Sequence, residues 1–190
     1  MKLLNRLSPT ITNMIRLDHT HVFATYHQFE ADSPPRVKKG LVDTACTALE
    51  IHAKLEEEVF YPALAEVADS EALRKAVPEH NEMRRLIAQL RGLEPTDATY
   101  DDTFHALMRE VIHHVADEET QMLPAAERLL ADQLHDLGAA MNRRRLQLVA
   151  PRSGEIATGM ARSLSPGTLA VAAGVAALAG GVLLSRRATR

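Results

Sequence analysis

Apolar residues recur three or four positions apart in four successive runs over the first 130 residues, the spacing of amphipathic helices. In the first run Ile15, Val22, Tyr26 and Phe29 share one stripe, which ends at the break Asp32-Ser33-Pro34-Pro35; Ser8 followed by Pro9 is a capped helix start. The second, residues 37–68, carries Leu41, Ala45, Ala48, Leu55 and Val59. The third, 71–93, carries Leu73, Met83, Ile87 and Leu90, with Pro78 as an irregularity, and the fourth, 99–130, carries Phe104, Leu107, Val111 and Met122. A fifth helical run, 132–148, holds the basic triplet Arg143 to Arg145 and is expected to pack outside the others. Long helices joined by short loops predict an all-α fold, an up-down-up-down four-helix bundle.

The polar exceptions in these stripes are as regular as the stripes. Each helix places one histidine on its apolar face: His19, His52, His80 and His114. The second and fourth helices add a glutamate one turn later, Glu56 and Glu118, inside the matching stretches HAKLEEEVFYPA and HVADEETQMLPA. One histidine on an apolar face is usually a core residue, and a glutamate run is usually a solvated face. Six such residues at matching depth are another matter, because a buried glutamate costs several kcal/mol unless paired or bound to a cation. At i and i+4 the histidine and glutamate share a face, about 5 to 6 Å apart at Cβ, which suits donors to one metal or to adjacent metals. Nitrogen donors from four helices and two carboxylates make a site able to hold two transition metals. Pro62 and Pro124, beyond each glutamate, remove a helical hydrogen bond, so the second and fourth helices are expected to kink or bend beside the site.

Composition narrows the class. The chain has 190 residues, 46% hydrophobic and 4% aromatic with no tryptophan, enough for one domain with a core and an appendage. A net charge of -3 provides no basic face for nucleic acid. The single cysteine, Cys46, has no internal disulfide partner and fits a reducing compartment. Arg6 and Pro9 interrupt any secretory apolar run in MKLLNRLSPT, so no signal peptide is expected and the domain is assigned to the cytoplasm.

The C-terminal part differs from the rest. Residues 1–150 form the expected domain, 151–166 read as a Pro, Gly and Ser-rich linker, and 167–185 as a candidate membrane-spanning helix. The eighteen residues from Gly167 to Leu184 carry no charge and would span roughly 27 Å as a helix, just enough for a hydrocarbon core of about 30 Å. Arg186, Arg187 and Arg190 follow, suited to lipid headgroups. The alternative is a helix docked on the domain. Small residues at Ala173, Ala177 and Gly181 would also allow helix pairing, hence a homo-oligomer through the tail.

The order His19, His52-x-x-x-Glu56, His80, His114-x-x-x-Glu118 resembles the hemerythrin-like HHE cation-binding domain over residues 10–130. The resemblance implies a non-haem site with two iron ions per chain, bridged by the two carboxylates, with open positions for oxygen, peroxide or nitric oxide. The chain departs from the oxygen-carrying members: Arg84 stands four after His80, where they place a further histidine, and Glu118 replaces an aspartate. Glu119, His113, His105, His21 and Glu57 remain as supporting or substitute ligands. The expected function is a membrane-tethered di-iron protein that senses or handles one of these small molecules. An iron store without turnover, or an interaction protein with a structural metal, stays open as an alternative, and the sequence does not decide whether the protein is an enzyme.

Overall fold

The computed structural model describes residues 8–164. Four long helical segments build the bundle. The first is α1 (Ile11–Tyr26); the second is α2 (Pro35–Leu55), a π-helical turn (Glu56–Phe60) and α3 (Tyr61–Ala65). The third is α4 (Glu71–Arg91); the fourth is α5 (Tyr100–Asp117), a second π-helical turn (Glu118–Met122) and α6 (Leu123–Leu129). Capping residues fix two of the starts. Thr10, two residues beyond the expected Ser8, accepts from the Asn13 N–H at 3.3 Å, and Ser70 accepts from the Leu73 N–H at 3.2 Å. Pro78 is accommodated inside α4 on an exposed position.

The apolar core is divided in two, and the histidines lie at the division. One cluster contains Ile11, Ile15, Leu55, Phe60, Ala76 and Met122; the other contains Val22, Leu41, Met83, Leu90, Phe104 and Val111. Along α1 the chain passes from the first cluster to the second, with His19 between. Along α2 it returns, along α4 it crosses again, and along α5 it returns once more. That alternation is the up-down-up-down order expected from the loop lengths, and each crossing occurs at a histidine.

The prolines act through helix width. Pro62 and Pro124 have no N–H, and each ring crowds the carbonyl four residues earlier. The helix absorbs this upstream by admitting one extra residue per turn: the Tyr61 N–H bonds the Glu56 carbonyl and the Leu123 N–H bonds the Glu118 carbonyl, both five residues apart. The expected kink is thus a π-turn that begins at each buried glutamate.

Two further helices cover one side. α7 (Leu134–Val149) packs on α1 and α2, where Gly138 lies so close to the Pro9 carbonyl and the Ile11 backbone that no side chain fits. The stretch expected to be a linker is instead largely helical. α8 (Ser153–Ser163) packs along α2, with Gly159 against Thr44 and Gly40 against the backbone of Arg162 and Ser163. Its Gly and Ser content, which suggested flexibility, permits close helix contact, and Ile156, Met160 and Leu164 form an apolar stripe that composition alone obscures. The candidate span from Gly167 to Leu184 lies outside the described residues. Among those described, no helix is long and apolar enough to cross a membrane.

Candidate metal centre

The six residues singled out from the sequence converge between the two core clusters. His19, His52, Glu56, His80, His114 and Glu118 are all buried, and both glutamates have zero exposure. Their donor atoms form two groups: His19, His52, Glu56 and Glu118 in one, Glu56, His80 and His114 in the other. In each group the atoms lie within 4.8 Å of one another, and Glu56 belongs to both. Each group is one that could hold a metal ion, and Glu56 joins the two.

The orientation of the rings is fixed from behind. Each histidine bonds a carboxylate through Nδ1: His19 to Glu119 at 2.9 Å, His52 to Asp18 at 3.3 Å, His80 to Glu57 at 2.9 Å and His114 to Glu79 at 2.8 Å. A carboxylate accepts, so each Nδ1 carries a proton and each Nε2 is the atom turned to the interior, where His19 Nε2 meets Glu118 Oε2 at 3.1 Å. This is the pairing that orients metal-bound imidazoles and raises their basicity. Arginines hold two of the carboxylates in turn. Arg145 of α7 clamps Asp18 through two bonds of 2.7 Å, and Arg84 donates to Glu57 at 2.6 Å.

The electrostatics of the interior favour added positive charge. Burial alone would raise the Glu56 carboxyl, yet His52 and the hydrogen bonds from His114 and His80 hold it well below the usual range. Burial alone would lower His114, yet Glu56, Glu118 and Glu79 lift it to about 9. His52 is raised in the same way, against burial, by Glu56 and by Asp18. The donors also fit a metal by their unmet bonds. His52 Nε2 and Glu56 Oε1 are 3.2 Å apart but not aligned for a hydrogen bond, and neither has another partner. His80 Nε2 and His114 Nε2 face each other at 3.0 Å, an approach that needs a proton on one ring, as the raised His114 can supply, or a cation between them. A cation among these atoms would serve both pairs.

Tyr61 was not anticipated. Its hydroxyl lies 3.1 Å from Glu56 Oε2, 2.9 Å from Glu118 Oε1, and 3.3 and 3.4 Å from Nε2 of His80 and His114. Burial, then the charges of Glu56 and Glu118, raise its pKa well above the ordinary value, so it remains a donor. A signal for it existed: overlaying the two histidine–glutamate stretches sets Tyr61 opposite Leu123, the one polar difference next to the prolines. Asp18 and Glu79 were also missed, although each immediately precedes a buried histidine. Of the substitute ligands considered, Glu57 and Glu119 bond histidines from behind, His105 bonds the Tyr26 hydroxyl at 2.9 Å, and His113 and His21 are exposed.

Fold and site together define a helical-bundle protein with a buried histidine–carboxylate centre shaped for metal cations. The pattern of the hemerythrin HHE cation binding domain matches residues 10–149, and the chain belongs to that family. A crystal structure of a hemerythrin HHE cation binding domain-containing protein of Mycobacterium kansasii is similar in fold, with a TM-score of 0.67 and 21% identity, covering 82% of this chain and 99% of that one. A DNA nickase of Nostoc sp. is 26% identical over 149 residues, 78% of this chain but 42% of that protein, so the chain spans less than half the length of that relative.

Proposed function

We propose that the chain holds two iron ions between its four buried histidines and two buried glutamates and uses them to sense or handle oxygen, peroxide or nitric oxide. The observation that carries this reading is the sharing of Glu56 by two groups of donors whose histidines are each oriented by a carboxylate. Iron, when bound, would supply electron transfer and open positions for a small ligand.

The residues around it set what that ligand can be. The four histidines enclose a void of about 10 Å³ walled by Val22, Leu49, Met83, Val111 and Val115. That is about the space of one water, which favours diatomic or peroxide-sized molecules over organic substrates. The apolar walls exclude bulk water, and the Tyr61 hydroxyl donates a hydrogen bond to the carboxylates. In this reading the apolar tail tethers the domain to the cytoplasmic face of a membrane. Storage of iron without turnover would use the same donors and is separated from redox handling by reaction with oxygen.

DNA nicking, the activity in the name of the Nostoc relative, has less support here. The net charge is -3, and Arg144 and Arg145 of the basic triplet are engaged by Glu58 and Asp18. The decisive experiment is metal analysis and an optical spectrum of protein purified without oxygen and then exposed to it. About two irons per chain with a spectrum that changes on oxygenation supports the proposal; one zinc and no iron overturns it.

A further inference from the structure

Three of the four rings at the metal centre are held from behind by the bundle alone. His19, His80 and His114 meet Glu119, Glu57 and Glu79, and the arginine behind Glu57, Arg84, belongs to α4. His52 is the exception. Its partner Asp18 is clamped by Arg145 of α7, a helix outside the four long segments.

The sequence of α7 places Arg145 there. Leu134, Gly138 and Met141 are buried at spacings of four and three, and Arg145 is the next position on that stripe. An arginine on an apolar stripe is the same kind of exception as the histidines of the bundle. The stripe is pinned in place, because the Gly138 backbone lies against the Pro9 carbonyl with no room for a side chain. The neighbours in the basic triplet do other things: Arg144 bonds Glu58, and Arg143 is exposed. A planar guanidinium that bonds both carboxylate oxygens fixes the carboxylate's orientation, which a single ammonium does not. The guanidinium keeps this pose although its Nε is buried without a hydrogen bond, a local cost that the clamp on Asp18 offsets.

Asp18 in turn reaches both histidines of one donor group. Its Oδ2 accepts from His52 Nδ1, and it directly precedes His19 on α1. The His19 and His52 rings also touch edge to face, with centroids 5.0 Å apart. The other group has no such link to α7. Its carboxylates Glu57 and Glu79 hydrogen-bond residues of α4 and α5.

We propose that Arg145 is a positioning residue that acts through Asp18 on one donor group only. The docking of α7 then sets the affinity of the position made by His19, His52, Glu56 and Glu118, and leaves that at His80 and His114 near its own value. This rests on the reading that both groups hold a metal ion.

The test uses the full chain, cobalt(II) as the probe ion and a competing chelator. Arg145→Met is expected to lower affinity for one of two ions about tenfold or more, with the other ion and the helical circular dichroism unchanged. Asp18→Asn should act alike, and the double variant should be no worse than Asp18→Asn, since both lie on one path. Arg145→Lys, which keeps the charge without the fork, should fall between and serves if the methionine variant folds poorly. Arg144→Met removes a neighbouring arginine from Glu58, a carboxylate that bonds no histidine among the described residues, and should match the parent. The proposal is overturned if Arg145→Met holds both ions like the parent, if it loses both equally, or if Arg144→Met has the same effect. A parent chain that takes up fewer than two ions counts against the proposed function instead. Nitrogen-15 NMR of the histidines in the metal-free chain then decides. Exchange of the His52 Nδ1 proton with solvent should be about tenfold faster in Arg145→Met, with that of His80 unchanged, and equal exchange in variant and parent overturns the proposal.

Discussion

His80 and His114 present their Nε2 atoms to each other at 3.0 Å while the Nδ1 of each ring is bonded to a glutamate, Glu57 for His80 and Glu79 for His114. Carboxylates behind both rings place a proton on each Nδ1, so the facing nitrogens are both acceptors unless one ring takes up a second proton, which the raised His114 does in the metal-free protein. Only a proton or a cation between them makes that approach favourable, and Glu56 Oε2, 3.4 Å from His80 Nε2, adds a third donor to the same point.

The carboxylates behind the rings should therefore matter to metal affinity without touching the metal. Glu79→Gln, which weakens the acceptor on His114, is expected to lower affinity about 10 to 100-fold in a chelator competition while leaving the fold intact. His52→Ala or Glu118→Ala should lose metal and stability together, because binding energy here is folding energy. Full metal content in either alanine variant would mean that the donors are misassigned.

Tyr61 should show its weight only when the cation is absent. Its hydroxyl donates to the buried Glu56 and Glu118 carboxylates, and a hydrogen bond to a charged group contributes about 1.5 to 3 kcal/mol. Tyr61→Phe is expected to destabilise the metal-free protein by about that amount and the metal-loaded protein by less, since a cation then satisfies the carboxylates. Thermal unfolding in both states decides it; equal losses in the two would show that the hydroxyl does not serve the carboxylates.

Which residues could be read from the sequence follows from helix geometry. His19, His52, His80 and His114 fall on apolar stripes of regular helices, and Glu56 and Glu118 follow by one turn, so period alone placed them. Tyr61 follows Glu56 by five residues, which in a regular helix turns it about 140° away from the site. The π-turn supplies the extra residue that brings it inward, and Pro62 was visible but the width of the turn was not. The partners of the rings were harder still, because Glu79 and Asp18 reach histidines on other helices, His114 and His52. α8 was missed because its glycines were taken as flexibility when they mark contact with α2.

That contact gives a prediction about α8. A Cβ on Gly40 would collide with the backbone of Arg162 and Ser163, which cannot rotate aside, whereas a Cβ on Gly154 meets nothing within 4 Å. Gly40→Ala should cost about 1 to 3 kcal/mol and loosen α8, seen as faster tryptic cleavage at Arg152 and Arg162. Gly154→Ala should be neutral or slightly stabilising. Since α8 supplies none of the candidate ligands, metal content should remain unchanged in both; undisturbed proteolysis of Gly40→Ala would contradict the close packing.

Cys46 offers a pH test away from the metal. Burial pushes its thiol up to about 12 from an ordinary value near 9. The folded protein thus keeps the proton where the unfolded chain releases it, so stability is fully present below pH 9 and falls as the pH rises from there toward 12. Replacing Cys46 by alanine should abolish this part of the alkaline loss while leaving a cavity cost at neutral pH. A disulfide-exchange reagent should react with Cys46 in the native protein only as fast as it opens; rapid reaction at neutral pH would place the thiol elsewhere than in the core.

On the proposed reading, the reaction with oxygen separates this chain from an oxygen carrier. A carrier must return what it binds, which calls for a nearly saturated metal pair in a dry pocket. In this chain the residue four after His80 is Arg84, and its guanidinium is spent on Glu57 and on Asn81, so it brings no donor to the centre. The second donor group has three members against four in the first, His80 and His114 beside the shared Glu56. Tyr61, within 3.4 Å of both histidines and bonded to both carboxylates, places a hydroxyl proton beside that group. On the proposed reading, that hydroxyl proton would favour consumption of oxygen or peroxide over its release. The reduced, iron-loaded protein is therefore expected to take up oxygen and not give it back under vacuum, ending oxidised. Optical spectra through cycles of oxygen exposure and removal test this, and recovery of the original reduced spectrum on removing oxygen would make the protein a carrier.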